Sequence, residues 1–291
     1  MRLPEGIDPG RHVIIAGPTA SGKSALAMAI ARAQGGTIVN ADALQVWSCW
    51  HVLTARPSDA DESDLPHRLY GHVARGRSYS VGDWLAEVAA LRGRLIIVGG
   101  TGLYLTALTS GLAVIPPTPP EIRAEGDRLL EQDGLQHMIA SLDAASRDAI
   151  DLRNPVRVQR AWEVLRATGR SIIDWRAETP APLINPDAAC LLSLVSDRDW
   201  LADRIEHRFD LMLAGGALNE VQALLPDWDA RAQWAKAIGA PELISYLQGE
   251  LSLDEARMRA IFATRQYAKS QRIWFRNRMR HWRKVAIEEL H

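Results

Sequence analysis

Lysine is almost absent from this chain. Of its 34 basic residues only Lys23, Lys236, Lys269 and Lys284 are lysines, and the remaining 30 are arginines. GC-rich coding produces such a bias, and it has a corollary. A lysine kept against the bias marks a place where a compact ammonium is required. Cysteine is scarcer still: Cys49 and Cys190 stand alone and far apart. They make neither a CxxC pair nor a disulfide framework, which fits a reduced, cytoplasmic setting. Zinc needs clustered ligands at short spacing. Neither His67 with His72 nor Cys49 with His51 supplies them. No apolar run approaches the ~18–20 residues that span a bilayer. The start, MRLPEGIDPG, lacks the apolar segment of a secretory leader. Excess charge is missing too, since 34 Lys and Arg against 35 Asp and Glu leave a net charge of −1. On its face that balance speaks against a nucleic-acid partner, but net charge does not report distribution.

With 47% apolar and 24% charged residues, the 291-residue chain is globular and long enough for two domains. Four short apolar runs read as buried strands: His12–Ala16, 37–40, 95–98 and 190–195. Helix-like stretches at 25–33 and 103–109 alternate with them, which implies a parallel α/β sheet. Prolines cluster at 116–120 and again at 180–186. Between them, 121–177 is helix-like with no strand pattern, so an α-helical domain is expected as an insertion between strands of the core. The expected division is 10–116 with 184–291 for the core and 117–183 for the insertion. From Asp199 to the end the pattern reads as helical.

Residues 17–24, GPTASGKS, match GxxxxGK[ST] between a strand and a helix. In such a P-loop, Gly17, Thr19, Ala20, Ser21 and Gly22 present backbone amides to phosphate oxygens at a helix N-terminus. Lys23 bridges the phosphates, and Ser24 is a candidate Mg²⁺ ligand. The loop reads a diphosphate or triphosphate and leaves the reaction open. A nucleotide-using kinase or NTPase competes with a transferase whose substrate carries its own diphosphate. The third strand ends in VGGTG without the carboxylate usual in an NTPase. Asp42 follows the second strand at the carboxyl edge of the sheet, where ligands of open α/β folds bind. It suits a general base or a metal ligand, and the plain alternative is a helix cap. Thr101, in the second glycine-rich turn, suits a donor to a leaving oxygen or a cap. From Ala256 to Lys284 there are ten Lys or Arg and no Asp or Glu, interleaved with Trp274, Phe275 and Trp282. That is the footprint of an RNA surface with stacking faces. Arg153, Arg157, Arg160, Arg166 and Arg170 form a second basic set in the insertion.

These segments together resemble the tRNA dimethylallyltransferase family. The similarity runs through GPTASGKS, NADALQVW at 40–47, TARP at 54–57 and VGGTGLYL at 98–105. It continues through RNPVRVQRAWEVLRATGR at 153–170 and ATRQYAKSQRIWFRN at 263–277. Ala43, Trp47, Arg56, Ala240 and Ser270 depart from the family pattern of Ser, Tyr, Lys, Tyr and Arg. The resemblance implies a P-loop NTPase-like sheet and a Mg²⁺-dependent transfer from dimethylallyl diphosphate to adenosine 37 of tRNA. It assigns Asp42 as base and Thr101 as donor to the leaving oxygen, with Arg208 gripping the diphosphate. Gln45, Arg157, Arg160, Lys269, Gln271, Arg272 and Arg276 then face the tRNA anticodon stem-loop. A monomer is expected. A small-molecule kinase with a helical lid, or a non-catalytic RNA-binding P-loop protein, are the competing readings.

Overall fold

The computed structural model describes residues 3–290, and residues 1, 2 and 291 lie outside the described set. The chain begins β1 (His12–Ala16), α1 (Lys23–Gln34), β2 (Thr37–Asn40), α2 (Asp59–Asp64), β3 (His67–Arg68), α3 (Val81–Ala90), β4 (Leu95–Gly99) and α4 (Gly102–Ser110). A helical stretch follows: α5 (Pro120–Gln132), α6 (Gly134–Ala140), α7 (Ala144–Ala149), α8 (Pro155–Thr168) and α9 (Ile172–Ala177). Then come β5 (Ala189–Val195), α10 (Arg198–Ala214), α11 (Ala217–Leu224), α12 (Ala240–Leu247), α13 (Leu253–Arg278) and β6 (Arg283–Ala286).

The strands form one six-stranded sheet in the order β3-β2-β4-β1-β5-β6, and every pairing is parallel. Val13, Ile14 and Ile15 of β1 and Ile96 and Ile97 of β4 are fully buried. Helices cover both faces, so side chains of either parity are apolar, and the strands read as continuous rather than alternating runs. The register sets Ala16 beside Gly99 and Asn40 beside Val98. The loops that follow β1, β4 and β2 therefore leave the sheet side by side at its carboxyl edge.

The chain forms two compact units, Met1–Thr109 with Leu183–His291, and Ser110–Pro182. The second unit has its own core of Met138, Leu142, Val158, Ala161, Trp162, Val164 and Ile172. Local signals delimit its α8: Asn154 caps the N-terminus, Pro155 occupies the first turn, and Gly169 ends it at φ 67°. In the first unit, a capping box of Ser252 and Glu255 starts the 26-residue α13.

Two sequence expectations are corrected here. The segment after Asp199 is not helical throughout, because β6 pairs in parallel with β5 at the sheet edge. The two-residue β3 was also not foreseen. Both are short edge strands held by backbone pairing. The sequence of β6, RKVA, buries only Val285 fully, so neither strand carries an apolar run to read.

Candidate active site

Positive φ angles shape the P-loop. Gly22 takes φ 80° at the start of α1, and Ala20 takes φ 63°. A left-handed residue with a Cβ costs about 1–2 kcal/mol, so Ala20 is held there by its surroundings. Two arginines on α10, one turn apart, do the holding. Arg204 Nε donates to the Ala20 carbonyl at 3.1 Å, and Arg208 Nη2 donates to Thr19 Oγ1 at 2.8 Å. Gly17 is buried, and a Cβ there would lie 2.7 Å from Ser21 Oγ, which only glycine avoids. Ser21 itself is buried, and its hydroxyl has no hydrogen-bond partner among the described residues. Ser24 stands exposed on the first turn of α1.

Lys23 is the lysine retained where phosphate would sit. Burial pulls its ammonium down to about 8; the charge of Asp42 opposes this shift and Arg208 reinforces it. Its Nζ meanwhile donates to the Pro18 carbonyl at 3.3 Å. Arg208 is likewise lowered, by burial first, with Asp42 opposing. Two cations are thus crowded together and partly desolvated, and Asp42 is the anion that both sense.

Asp42 is aimed by its neighbours. Buried Asn40, the last residue of β2, donates through Nδ2 to the carbonyls of Asp42 and Leu69 at 2.9 and 3.0 Å, and its Oδ1 accepts from Asp42 N at 2.8 Å. Asp42 Oδ1 accepts from Leu44 N at 3.0 Å, an Asx turn rather than a helix cap. Thr101 Oγ1 accepts from Ala43 N at 2.9 Å, and the Tyr267 hydroxyl lies within hydrogen-bonding reach of the same threonine. Gln45 Nε2 donates to the carbonyls of Thr54 and Ala55 at 2.7 and 3.1 Å. Its Oε1 has no hydrogen-bond partner among the described residues. The turn that supplies those carbonyls is tied to α11. The Glu220 carboxylate accepts the backbone N–H groups of His51, Val52 and Leu53.

A cavity of about 60 Å³ gathers Thr19, Asp42, Gln45, Arg208 and Tyr267 against apolar Leu53, Ile205, Phe209, Met212 and Ile238. Thr54 lines it as well, and its buried hydroxyl lacks a partner among the described residues. Burial, and then the Asp42 charge, push the Tyr267 phenol up, so it stays protonated. A separate open groove of about 910 Å³ is lined by Arg198, Arg265, Lys269, Arg272, Arg276, Arg280 and Lys284. Asp199 is the one carboxylate in its lining.

The structure corrects several expectations for the basic segments. Gln271 does not face outward. It is 5% exposed, and its amide spans Thr19 N and the Gly100 carbonyl. Phe275 and Trp282 are each 3% exposed and belong to the core, so they offer no stacking face. Trp274 is half-buried against the glycine turn. Arg257 pairs with Asp210 and Glu206, and Arg265 with Glu206, so a stretch lacking acid in sequence is partly neutralised by α10 in space. In the helical unit, Arg157 is 54% exposed and within 3.9 Å of Asp151. Arg160 turns inward to Thr118 and to buried Glu163, and burial lowers its pKa. Arg166 and Arg170 pair with Glu125 and Glu178. Asn40, Arg204, Glu220 and Tyr267 were not read from the sequence. Of these, only Asn40 carried a signal, as a polar residue closing an apolar strand.

Comparison with known proteins gives a consistent answer. The model of the family described as IPP transferase matches residues 45–278, and that described as isopentenyl transferase matches residues 11–77. The tRNA dimethylallyltransferase of Paracoccus denitrificans (strain Pd 1222) is 67% identical over 290 residues, covering 97% of this chain and 96% of that protein. The protein of the same name from Cereibacter sphaeroides (strain ATCC 17025) is 60% identical over 290 residues, covering 99% and 100%. Among solved structures, the full-length tRNA isopentenylpyrophosphate transferase of Bacillus halodurans superposes with a TM-score of 0.68 at 29% identity, covering 96% of this chain and 90% of that one. A eukaryotic dimethylallyltransferase solved acting on tRNA has a TM-score of 0.78 at 24% identity, covering 95% and 73%, and supports the fold. The chain belongs to the IPP transferase family.

Proposed function

We propose that this chain transfers a dimethylallyl group from dimethylallyl diphosphate to N6 of adenosine 37 of tRNA, releasing diphosphate. The observation that carries this reading is the meeting of Asp42, Thr19, Arg208 and Gln45 in one cavity at the P-loop. The exocyclic amine is a weak nucleophile because its lone pair delocalises into the ring. As N6 bonds to the allylic carbon, the carbon–oxygen bond to diphosphate breaks and N6 loses a proton. Asp42 takes that proton. Negative charge develops on the departing diphosphate, where Lys23, Arg208 and the loop amides stabilise it. The Thr101 hydroxyl donates to the oxygen that leaves. Gln45 Oε1 accepts from the adenine edge, since its Nε2 is held by Thr54 and Ala55.

Magnesium belongs to the proposal. Among the described residues no three or more His, Cys, Asp or Glu cluster as a cage. The fit is instead an open one, of the exposed Ser24 hydroxyl together with diphosphate oxygens, a hard donor set suited to Mg²⁺. When bound it supplies countercharge to the diphosphate.

The tRNA anticodon stem-loop is the partner. Extruding the base costs a few kcal/mol, offset by phosphate contacts to Lys269, Arg272 and Arg276 in the basic groove and, separately, to Arg157 of the helical unit. Among the described residues no helix is long and apolar enough to cross a membrane. We place the reaction in the cytoplasm, carried out by a monomer.

Incubation with dimethylallyl diphosphate and unmodified tRNA tests this. The tRNA should gain the mass of one isopentenyl group, and Asp42→Ala should abolish the gain while tRNA binding persists. ATP-dependent phosphorylation of a small acceptor without that gain would favour a kinase instead.

A further inference from the structure

We propose that Gln271 is a positioning residue of this site, whose buried amide locks the P-loop to the glycine turn carrying Thr101. In sequence it sits within the run of cations on α13. In space it points the other way, and both ends of its amide are used. Oε1 accepts from Thr19 N at 2.9 Å, and Nε2 donates to the Gly100 carbonyl at 2.9 Å. An N–H at one end and a carbonyl at the other fix the amide orientation without ambiguity.

The surroundings are built for this contact. A Cβ on Gly100 would lie 2.2 Å from Gln271 Nε2, and one on Gly102 would lie 2.3 Å from the Trp274 ring. Gln271 and Trp274 are three residues apart and share one face of α13, so the glycines around Thr101 admit that face. Tyr267, one turn earlier, adds its hydroxyl within reach of Thr101 and Gln271. Thr19 is then held from two sides, its N–H by α13 and its hydroxyl by Arg208 of α10. Gln271 thus fixes the distance between the P-loop and the turn that carries Thr101, and it takes the Thr19 N–H that the sequence pattern assigned to a phosphate oxygen. Only a neutral side chain with one donor and one acceptor at this length satisfies both loops. Glutamate would set a negative oxygen against the Gly100 carbonyl. Truncation would leave a buried N–H and a buried carbonyl unpaired, which is costly.

The inference rests on the proposed diphosphate and transfer site. Its test is Gln271→Glu, read as a pH profile. A protonated carboxyl reproduces the amide: its O–H donates to Gly100 O and its carbonyl accepts from Thr19 N. The ionised form cannot. Burial raises a carboxyl above its ordinary value of about 4.3, so the change falls within a workable range. The kcat/KM for dimethylallyl diphosphate, taken as the ratio of variant to wild type between pH 5.5 and 8.5, should rise as pH falls, by up to about tenfold per unit. Binding of tRNA should stay within twofold of wild type. Gln271→Met, which keeps the length and loses both polar ends, should retain tRNA binding and lose diphosphate affinity at every pH.

A flat ratio for Gln271→Glu would overturn the proposal, as would unchanged inorganic diphosphate binding in Gln271→Met. A drop in tRNA affinity with a shallower salt slope would return Gln271 to the RNA surface. If the wild type itself transfers nothing, the functional reading fails. The same pH ratio, measured by calorimetry with inorganic diphosphate, then still decides the role of Gln271.

Discussion

Lys23 is one of four lysines in the chain, and its ammonium is drawn down to about 8 by burial. A phosphate oxygen favours the charged form, so diphosphate binding must raise that value. Below pH 8 the lysine is already charged and binding takes up no proton at this group. Above pH 8 the free lysine is neutral and must be recharged on binding, so affinity falls as pH rises. Diphosphate ionises over the same range, which a reference that stays charged removes. Relative to Lys23→Arg, calorimetric affinity of the wild type for inorganic diphosphate should be constant from pH 6.5 to 7.5. It should then weaken by up to about tenfold per unit above 8. A constant ratio to pH 9.5 would mean the ammonium is not desolvated. At this scale the sequence was legible where chemistry dictates both residue type and spacing. GPTASGKS names its own lysine, and Asp42 and Thr101 follow from their places after strands. Gln271 and Glu220 were not legible, because their partners are backbone atoms 252 and 169 residues away. Backbone partners leave no mark on composition.

Helix α13 shows why a charge run needs its helix neighbours before it can be interpreted. Along the chain its cations look equivalent. In space one set, Arg257 and Arg265, is spent on Glu206 and Asp210 of α10. Another, Lys269, Arg272 and Arg276, lines the open groove. The inner face carries Gln271 and Phe275 into the core. The two sets should respond differently to neutralisation. Arg272→Gln with Arg276→Gln should weaken tRNA binding and reduce the slope of log affinity against log salt by about 1.5. Arg257→Gln should leave that slope unchanged and lower thermal stability slightly, as expected for partly exposed ion pairs worth about 1 kcal/mol or less each. Equal slopes for the two variants would mean that RNA does not follow the groove. The four apolar strands were legible because burial on both faces forces continuous apolar runs. Edge strand β6 was not, since backbone pairing suffices to hold RKVA in place.

The near-neutral balance of the whole molecule conceals local excess of both signs. Residues 110–182 carry nine arginines against eleven Asp and Glu, so the helical unit that looked basic along α8 is slightly acidic as a whole. Much of its arginine is paired internally, and Arg157, its proposed RNA contact, is 54% exposed. The core unit lines one groove with seven cations instead. If RNA reads those local cations, total charge is irrelevant to binding, because guanidinium groups do not titrate in the working range and screening confines each charge to about 8–10 Å. The isoelectric point near 6.7 gives a direct test. Salt titrations of tRNA binding at pH 6.0 and 8.0 straddle it and reverse the sign of the net charge. The salt slope should be the same at both values, since among the described residues no histidine lines the groove. A slope that is steep at pH 6.0 and vanishes at pH 8.0 would show binding governed by the charge of the molecule as a whole. The groove cations would then be a solvated helix face.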